Sequence, residues 1–273
     1  VFQFDKILAK YNPKFLFLTF EGHSWERLII NHVKKKFPKI IILSYQFSVL
    51  TKHSSSIYLN LGKNFKPDII LTSGNFTKNK FKKNLDPKIT YINIGSNKFN
   101  PISQKSSKNS DVLIIPEGFK SETIKMLILS ISAASYFKDK KFIFRFHPMI
   151  DQKLFFENLS TDKKQIPKNL IFSNKTFQND INRTKYVIYR GSAASIQALS
   201  FGKVPIYYEL QGEINIDPLF MLKNKFYIKN VTELEKVFKD PLLKNKNKKN
   251  IFFKKEYFDK PNFTSLIKYL NKL

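Results

Sequence analysis

The stretch 185-KYVIYRGSAASIQALSFGKVPIYYE-209 decides how this chain is read. An apolar run stops at Arg190-Gly191-Ser192. A small-residue pattern of helical period follows at once, and a second apolar run ends in Glu209. Strand, tight corner, helix, strand is the grammar of a βαβ unit, and it predicts a parallel pair. Outward from it, apolar runs recur at 15-FLFLTF-20, 39-KIIILSY-45, 68-DIILTS-73, 88-KITYINI-94, 111-DVLIIP-116, 142-FIFRFH-147, 169-NLIFS-173 and 225-KFYIK-229. Helical periods lie at 26–37, 121–137, 192–201 and 231–238. The polar segment 100-NPISQKSSKNS-110 has no apolar period and reads as a linker. The expected architecture is α/β, with two Rossmann-like units whose parallel sheets face a central cleft. The expected division is residues 1–105, a truncated unit if sequence is missing upstream, and 106–273.

The 273 residues include 42% hydrophobic and 25% charged positions and no cysteine. That suffices for one or two cores and removes disulfides and thiolate metal sites. No apolar run reaches the length of a membrane span, and no signal-peptide pattern opens the chain. The start at Val1 in place of Met leads us to expect a fragment or a processed N-terminus. The net charge of +27 is almost all lysine. Charge of this kind informs solubility and non-specific binding rather than fold. Lys, Asn, Ile and Phe are abundant together, as under a compositional bias of the gene. The four arginines, Arg27, Arg145, Arg183 and Arg190, are then informative, because only arginine offers a planar bidentate fork. The basic, aromatic stretch 242-LLKNKNKKNIFFKKEYF-258 reads as a solvated face, with an anionic membrane surface as the second reading.

Ligands of parallel α/β sheets bind beyond the carboxyl ends of the strands, so polar residues there are the candidates. In 142-FIFRFHPM-149, Arg145 and His147 share a strand face, Pro148 ends the strand, and the pair suits a phosphate or carboxylate. At the corner, Arg190 runs into Gly191, and Ser192 sits where a helix N-cap belongs, with Ser195 one turn on. Glu209 closes the next strand. In 111-DVLIIPEGFKSE-122, Glu117 stands at a strand end before Gly118. In 15-FLFLTFEGHSWERLIIN-31, Glu21 and His23 flank Gly22. Capping accounts for Ser24 as N-cap and for Glu26 but leaves Glu21 and His23 unexplained, so both are catalytic candidates beside Glu117 and His147.

The order acid-Gly, His-Pro, serine at a helix start resembles the bacterial sialyltransferases and Kdo transferases of surface-polysaccharide (capsule, lipopolysaccharide) synthesis. Pro116-Glu117-Gly118 stands for an acid-acid-Gly motif with one acid missing. His147-Pro148 matches in full, and Ser192-Ala193 keeps only the first of two hydroxyl residues. The resemblance spans mainly residues 111–210. It implies a GT-B enzyme that moves an acidic, Kdo-like or sialic-acid-like sugar from a CMP-linked donor to a saccharide or glycolipid acceptor. His147 would act as general acid, and Glu21, our first choice, or Glu117 as base. Arg145, Pro148, Arg190, Gly191, Ser192 and Ser195 would hold the leaving phosphate. No DxD-type carboxylate cluster is visible, so no metal and no cofactor beyond the donor is expected. The implied place is the cytoplasm, with peripheral contact at the inner face of an anionic membrane. The alternatives are a UDP- or GDP-sugar donor, a non-catalytic or truncated relative, or a basic nucleic-acid-binding protein; no specific nucleic-acid motif is visible.

Overall fold

The computed structural model describes residues 2–99, 110–157, 159, 166–222, 225–240 and 257–273. The expected linker and most of the basic stretch 242–258 lie outside the described residues. The chain forms two compact units. Among described residues the first takes 2–50, 54–99 and 257–273, and the second takes 51–53 and the rest up to 240.

The first unit holds a four-stranded sheet of β1 (Phe15–Thr19), β2 (Ile41–Gln46), β3 (Ile69–Thr72) and β4 (Thr90–Asn93), in that spatial order and all parallel. Its helices are α1 (Phe2–Tyr11), α2 (Ser24–Lys36) and α3 (Asn75–Asn84). Successive strand residues point to opposite faces, and both faces are apolar, as a parallel sheet requires. Ile42, Ile70 and Tyr91 pack on Leu8 of α1, Ile30 and Val33 of α2 and Phe81 of α3. Leu43, Ile69, Leu71 and Ile92 pack on Leu266, which belongs to a helix near the C-terminus, named α9 below.

The second unit holds six parallel strands: β5 (Asp111–Ile115), β6 (Phe142–Phe144), β7 (Leu170–Phe172), β8 (Thr184–Tyr189), β9 (Val204–Tyr208) and β10 (Phe226–Ile228). Their spatial order is β10-β9-β8-β5-β6-β7. Helices α4 (Lys120–Tyr136), α5 (Gln152–Glu157), α6 (Phe177–Asn182), α7 (Ala194–Ser200) and α8 (Val231–Lys239) connect or flank them. The chain winds outward from β5 to β7, returns to β8 beside β5, and winds the other way to β10. That is the doubly wound order, and it leaves a crevice where β5 and β8 part. Met126, Leu129 and Ala133 of α4 and Leu234 of α8 cover one face of the sheet.

All ten expected strands form. Two expectations change. The strand at 142 ends at Phe144, three residues early, because Phe146 turns inward to join Phe144, Phe155 and Phe172 in an aromatic cluster. The C-terminus departs from the expected boundary. Helix α9 (Thr264–Leu270) covers the first sheet, and Tyr257 and Leu50 clasp each other through the tyrosine hydroxyl, which accepts from Leu50 N at 3.0 Å. A parallel sheet exposes no face to water, and this segment supplies the cover the first sheet lacked.

Candidate functional site

In the first unit, 20-FEGHSWER-27 is a clamp. His23, not Ser24, is the N-cap of α2, and Glu26 is the third helical residue. The Glu26 carboxylate is fully buried. It accepts from Glu21 N at 2.8 Å, His23 N at 2.9 Å and Thr19 Oγ1 at 3.2 Å, which is a capping-box reach. Arg27 is equally buried and donates to the Gly22 and Ser56 carbonyls at 3.1 and 2.7 Å. Gly22 has φ +81°, and a Cβ there would stand 2.5 Å from the Ile57 backbone, so only glycine fits. Glu21 is spent as well. Its carboxylate accepts from Ser48 N at 3.1 Å, from Phe47 N and Gln46 Nε2 at 3.3 Å each, and from Ser48 Oγ. A carboxylate holding four donors fastens the 46–48 loop, and a base needs a free lone pair. The geometry therefore removes the reason for preferring Glu21, and it turns His23 into a capping residue.

In the second unit the candidates separate into two groups. Arg145 leaves the site. It donates through Nη1 to Asp180 Oδ2 at 3.2 Å and to the Lys175 carbonyl. Asp180 is fully buried and also takes Arg183 Nη2 at 2.9 Å and Ser173 Oγ at 2.6 Å. A buried carboxylate must be neutralised, and α6 draws Arg145 in to do it. Ser192 is not an N-cap: α7 starts at Ala194 after Ala193, and spans seven residues. The fully buried Ser195 hydroxyl donates to the Ser192 carbonyl at 2.8 Å, so that serine too is committed locally. Glu209 follows β9 and lies 3.6 Å from Lys229 Nζ.

The other group meets where β5, β6 and β8 end. Glu117 follows β5 and lies against Gly191: its carboxyl atoms stand 2.4–2.6 Å from where a Cβ on Gly191 would be. Any side chain at 191 would expel it. His147 Nδ1 is 3.0 Å from the equivalent point on Gly118 and accepts from Met149 N at 3.2 Å, within a turn that Pro148 starts. That contact assigns the imidazole proton to Nε2. Arg190, 2% exposed, offers Nη2 to Glu213 Oε2 at 3.1 Å, while its Nε and Nη1 are buried with no partner among the described residues. Glu213 also pairs with Lys125, and these two cations hold its carboxyl below the usual range, the Lys125 hydrogen bond contributing most. Glu122 of α4, 7% exposed, completes the group. Burial first, then the Glu117 side chain beside it, push its carboxyl up to about 8. A guanidinium with unspent donors, two carboxyls and an imidazole thus surround the crevice of a doubly wound sheet. They are suited to binding an anion and moving a proton.

The sequence reading missed Glu122, Glu213 and Lys125. Glu122 had a signal. Glu21-Gly22-His23-Ser24-Trp25-Glu26 and Glu117-Gly118-Phe119-Lys120-Ser121-Glu122 share one pattern, each running from the end of a unit's first β-strand into the helix that follows it. Glu213 and Lys125 lie 88 residues apart, and nothing local marks them.

No family profile and no curated protein matches the chain. Solved structures do. Staphylococcus aureus MnaA in complex with UDP aligns with TM-score 0.61 at 10% identity, covering 99% of this chain and 78% of that one. The spinosyn rhamnosyltransferase SpnG aligns with TM-score 0.61 at 10% identity, covering 99% and 76%. Accessory secretory protein 1, 2 and 3 of Streptococcus pneumoniae aligns with TM-score 0.55 at 16% identity, covering 98% and 55%. The chain therefore spans about half the length of this last structure. The fold is GT-B-like, α/β with two parallel sheets, and the solved structures that share it include a rhamnosyltransferase and a putative UDP-N-acetylglucosamine 2-epimerase.

Proposed function

We propose that this chain is a glycosyltransferase. It takes a sugar from a nucleotide-linked donor held at the ends of β5 and β8 and passes it to a saccharide hydroxyl. The observation that carries the reading is Arg190: a buried guanidinium with two free donor nitrogens at the strand-order reversal of a sheet of this fold. Such donors already in place stabilise the phosphate charge that grows as the glycosidic bond breaks. In this reading Glu117 takes the acceptor proton, a role moved from Glu21 because Glu21 has no free lone pair. His147 donates a hydrogen bond from Nε2 to the leaving phosphate, and Glu209 meets the ribose hydroxyls. The acceptor half is the first unit.

For the donor we retain a CMP-linked acidic sugar, on the His147-Pro148 and Glu117-Gly118 motifs, in surface-polysaccharide synthesis. The second reading is a UDP-sugar, favoured by the UDP bound to the S. aureus neighbour. The lysine excess supports a peripheral role at an anionic membrane, to be read by sedimentation with vesicles with and without anionic lipid. No described helix is long and apolar enough to cross a membrane.

Thermal unfolding with CMP, UDP and GDP decides among these. A nucleotide at 100 times its Kd adds about 2.7 kcal/mol, which raises Tm by about 5–10 °C for a protein of this size. A rise with CMP alone supports the acidic-sugar donor, and a rise with UDP alone replaces it. If none of the three moves Tm at millimolar concentration, the transferase reading fails. Transfer should also persist undiminished in excess EDTA, since the protein's own cations carry the phosphate charge in this reading.

A further inference from the structure

We infer that Glu122 is a positioning residue that shares a single proton with Glu117 and so holds Glu117 ionised and aimed at the ligand. The role toward a ligand rests on the transferase reading above; the shared proton does not.

The argument starts from the device that appears in both units. In each, the third residue of a helix is a glutamate that reaches back to the amide of the glutamate five positions earlier. In the first unit the device is saturated. Glu26 has two backbone amides and the Thr19 hydroxyl, and Glu21 turns its own carboxylate away to residues 46–48. The two acids draw on separate donors and do not depend on each other. The second unit keeps the backbone and loses the donors. Ile115 stands where Thr19 stands and has no hydroxyl. The reach from Glu117 N to Glu122 Oε1 stretches to 3.4 Å. Among the described residues no hydrogen bond from another side chain or from a backbone amide reaches the Glu117 carboxylate, which lies against the bare Gly191.

A buried carboxyl with one long amide contact does not stay ionised beside a second carboxyl, so Glu122, and not the half-buried Glu117, is the one to keep a proton. The arrangement that costs least is one proton between them, with the Glu122 hydroxyl donating to the Glu117 carboxylate. The contact of Glu117 N with Glu122 Oε1 and the raised Glu122 value fit that arrangement. The charged groups facing the pair are few. Arg190 pulls Glu122 the other way but more weakly than Glu117 pushes. Glu213 and Lys125 lie beyond Arg190 and pair with each other. With Glu122 neutral, Glu117 and Glu213 balance Arg190 and Lys125.

The sign of the linked stability follows. An unfolded glutamate loses its proton near pH 4.3. The folded chain keeps the Glu122 proton to higher pH, so the wild type loses stability as pH rises between the two values, and the loss is complete above the folded one. Glu122→Gln keeps a donor toward Glu117 and removes the titration.

The experiment is thermal unfolding of the full chain from pH 5 to pH 9 for wild type, Glu122→Gln, Glu117→Gln and the double variant. We expect the Tm of Glu122→Gln minus that of wild type to grow by several degrees between pH 5 and pH 8 and then level off. In the Glu117→Gln background the same difference should shrink, because the neighbouring charge is gone. A difference that is flat with pH overturns the proposal. So does a difference that is the same with and without Glu117, since a merely buried glutamate would behave that way. With the donor identified above, turnover of Glu122→Gln should fall, with the alkaline limb of the pH profile displaced. A turnover loss equal at every pH would assign Glu122 a packing role only. Because the unfolding series needs no donor, failure of the transferase reading leaves its result standing, and the reverse holds too.

Discussion

Arg145 and Arg190 carry the same chemistry at the ends of neighbouring stretches of the second sheet, yet they finish in opposite states. Arg145 is consumed by Asp180, and Arg190 keeps Nε and Nη1 unspent. Substitution should separate them. Arg190→Lys keeps the charge but loses the fork. We expect nucleotide affinity to fall about 10–100-fold, the worth of one or two charged hydrogen bonds, read by calorimetric titration. Arg145→Met should leave that affinity unchanged and instead lower stability by about 1–3 kcal/mol, because Asp180 is left short of a donor. Equal effects on binding would place Arg145 in the site after all. His147→Ala should cut turnover about 10²–10⁴-fold, as for loss of a general acid. Its effect on donor binding should be smaller, since the leaving charge peaks in the transition state.

At the scale of elements, the two strand-to-helix turns are one device put to two uses. In the first unit both acids are satisfied, Glu26 within the turn and Glu21 by residues 46–48. Gly22→Ala should show this. The new Cβ meets the Ile57 backbone at 2.5 Å with φ at +81°, and strain of this kind costs about 1–3 kcal/mol. Denaturant titration should register it with no direct effect on nucleotide affinity. In the second unit the same turn is left short of donors and faces Gly191. Gly191→Ala should displace Glu117 and lower turnover by more than about 10-fold, the scale of a lost base contact. Nearly intact turnover in Gly191→Ala would remove Glu117 from the mechanism.

For the whole molecule, the C-terminal segment is the informative part. Leu266 lies on Leu43, Ile69, Leu71 and Ile92, and Tyr269 OH meets Thr90 Oγ1 at 3.1 Å. Removing residues 257–273 should bare that face and unfold the first unit selectively. Hydrogen exchange should show β1 to β4 losing protection while β5 to β10 keep theirs. Uniform loss across both sheets would mean that the segment stabilises more than its own unit.

The alternation of strands and helices, the parallel sheets and the candidates at the strand ends were legible in the sequence, because each depends on the period and chemistry of a few adjacent residues. Glu117, Arg190 and Gly191 were readable for that reason, since a strand followed by glycine marks its own end, whereas His147 lies three residues past the end of β6. The loss of Arg145 to Asp180, the capture of Glu21 by residues 46–48 and the return of α9 to the first sheet were not. Each joins residues 25 or more positions apart. Such partners are chosen by which buried charge must be neutralised and which apolar face must be covered, and only the packed chain decides that. The Glu117–Glu122 pair lies between the two cases. Its spacing is written in the sequence twice, but only the folded environment shows that one copy is rich in donors and the other is not.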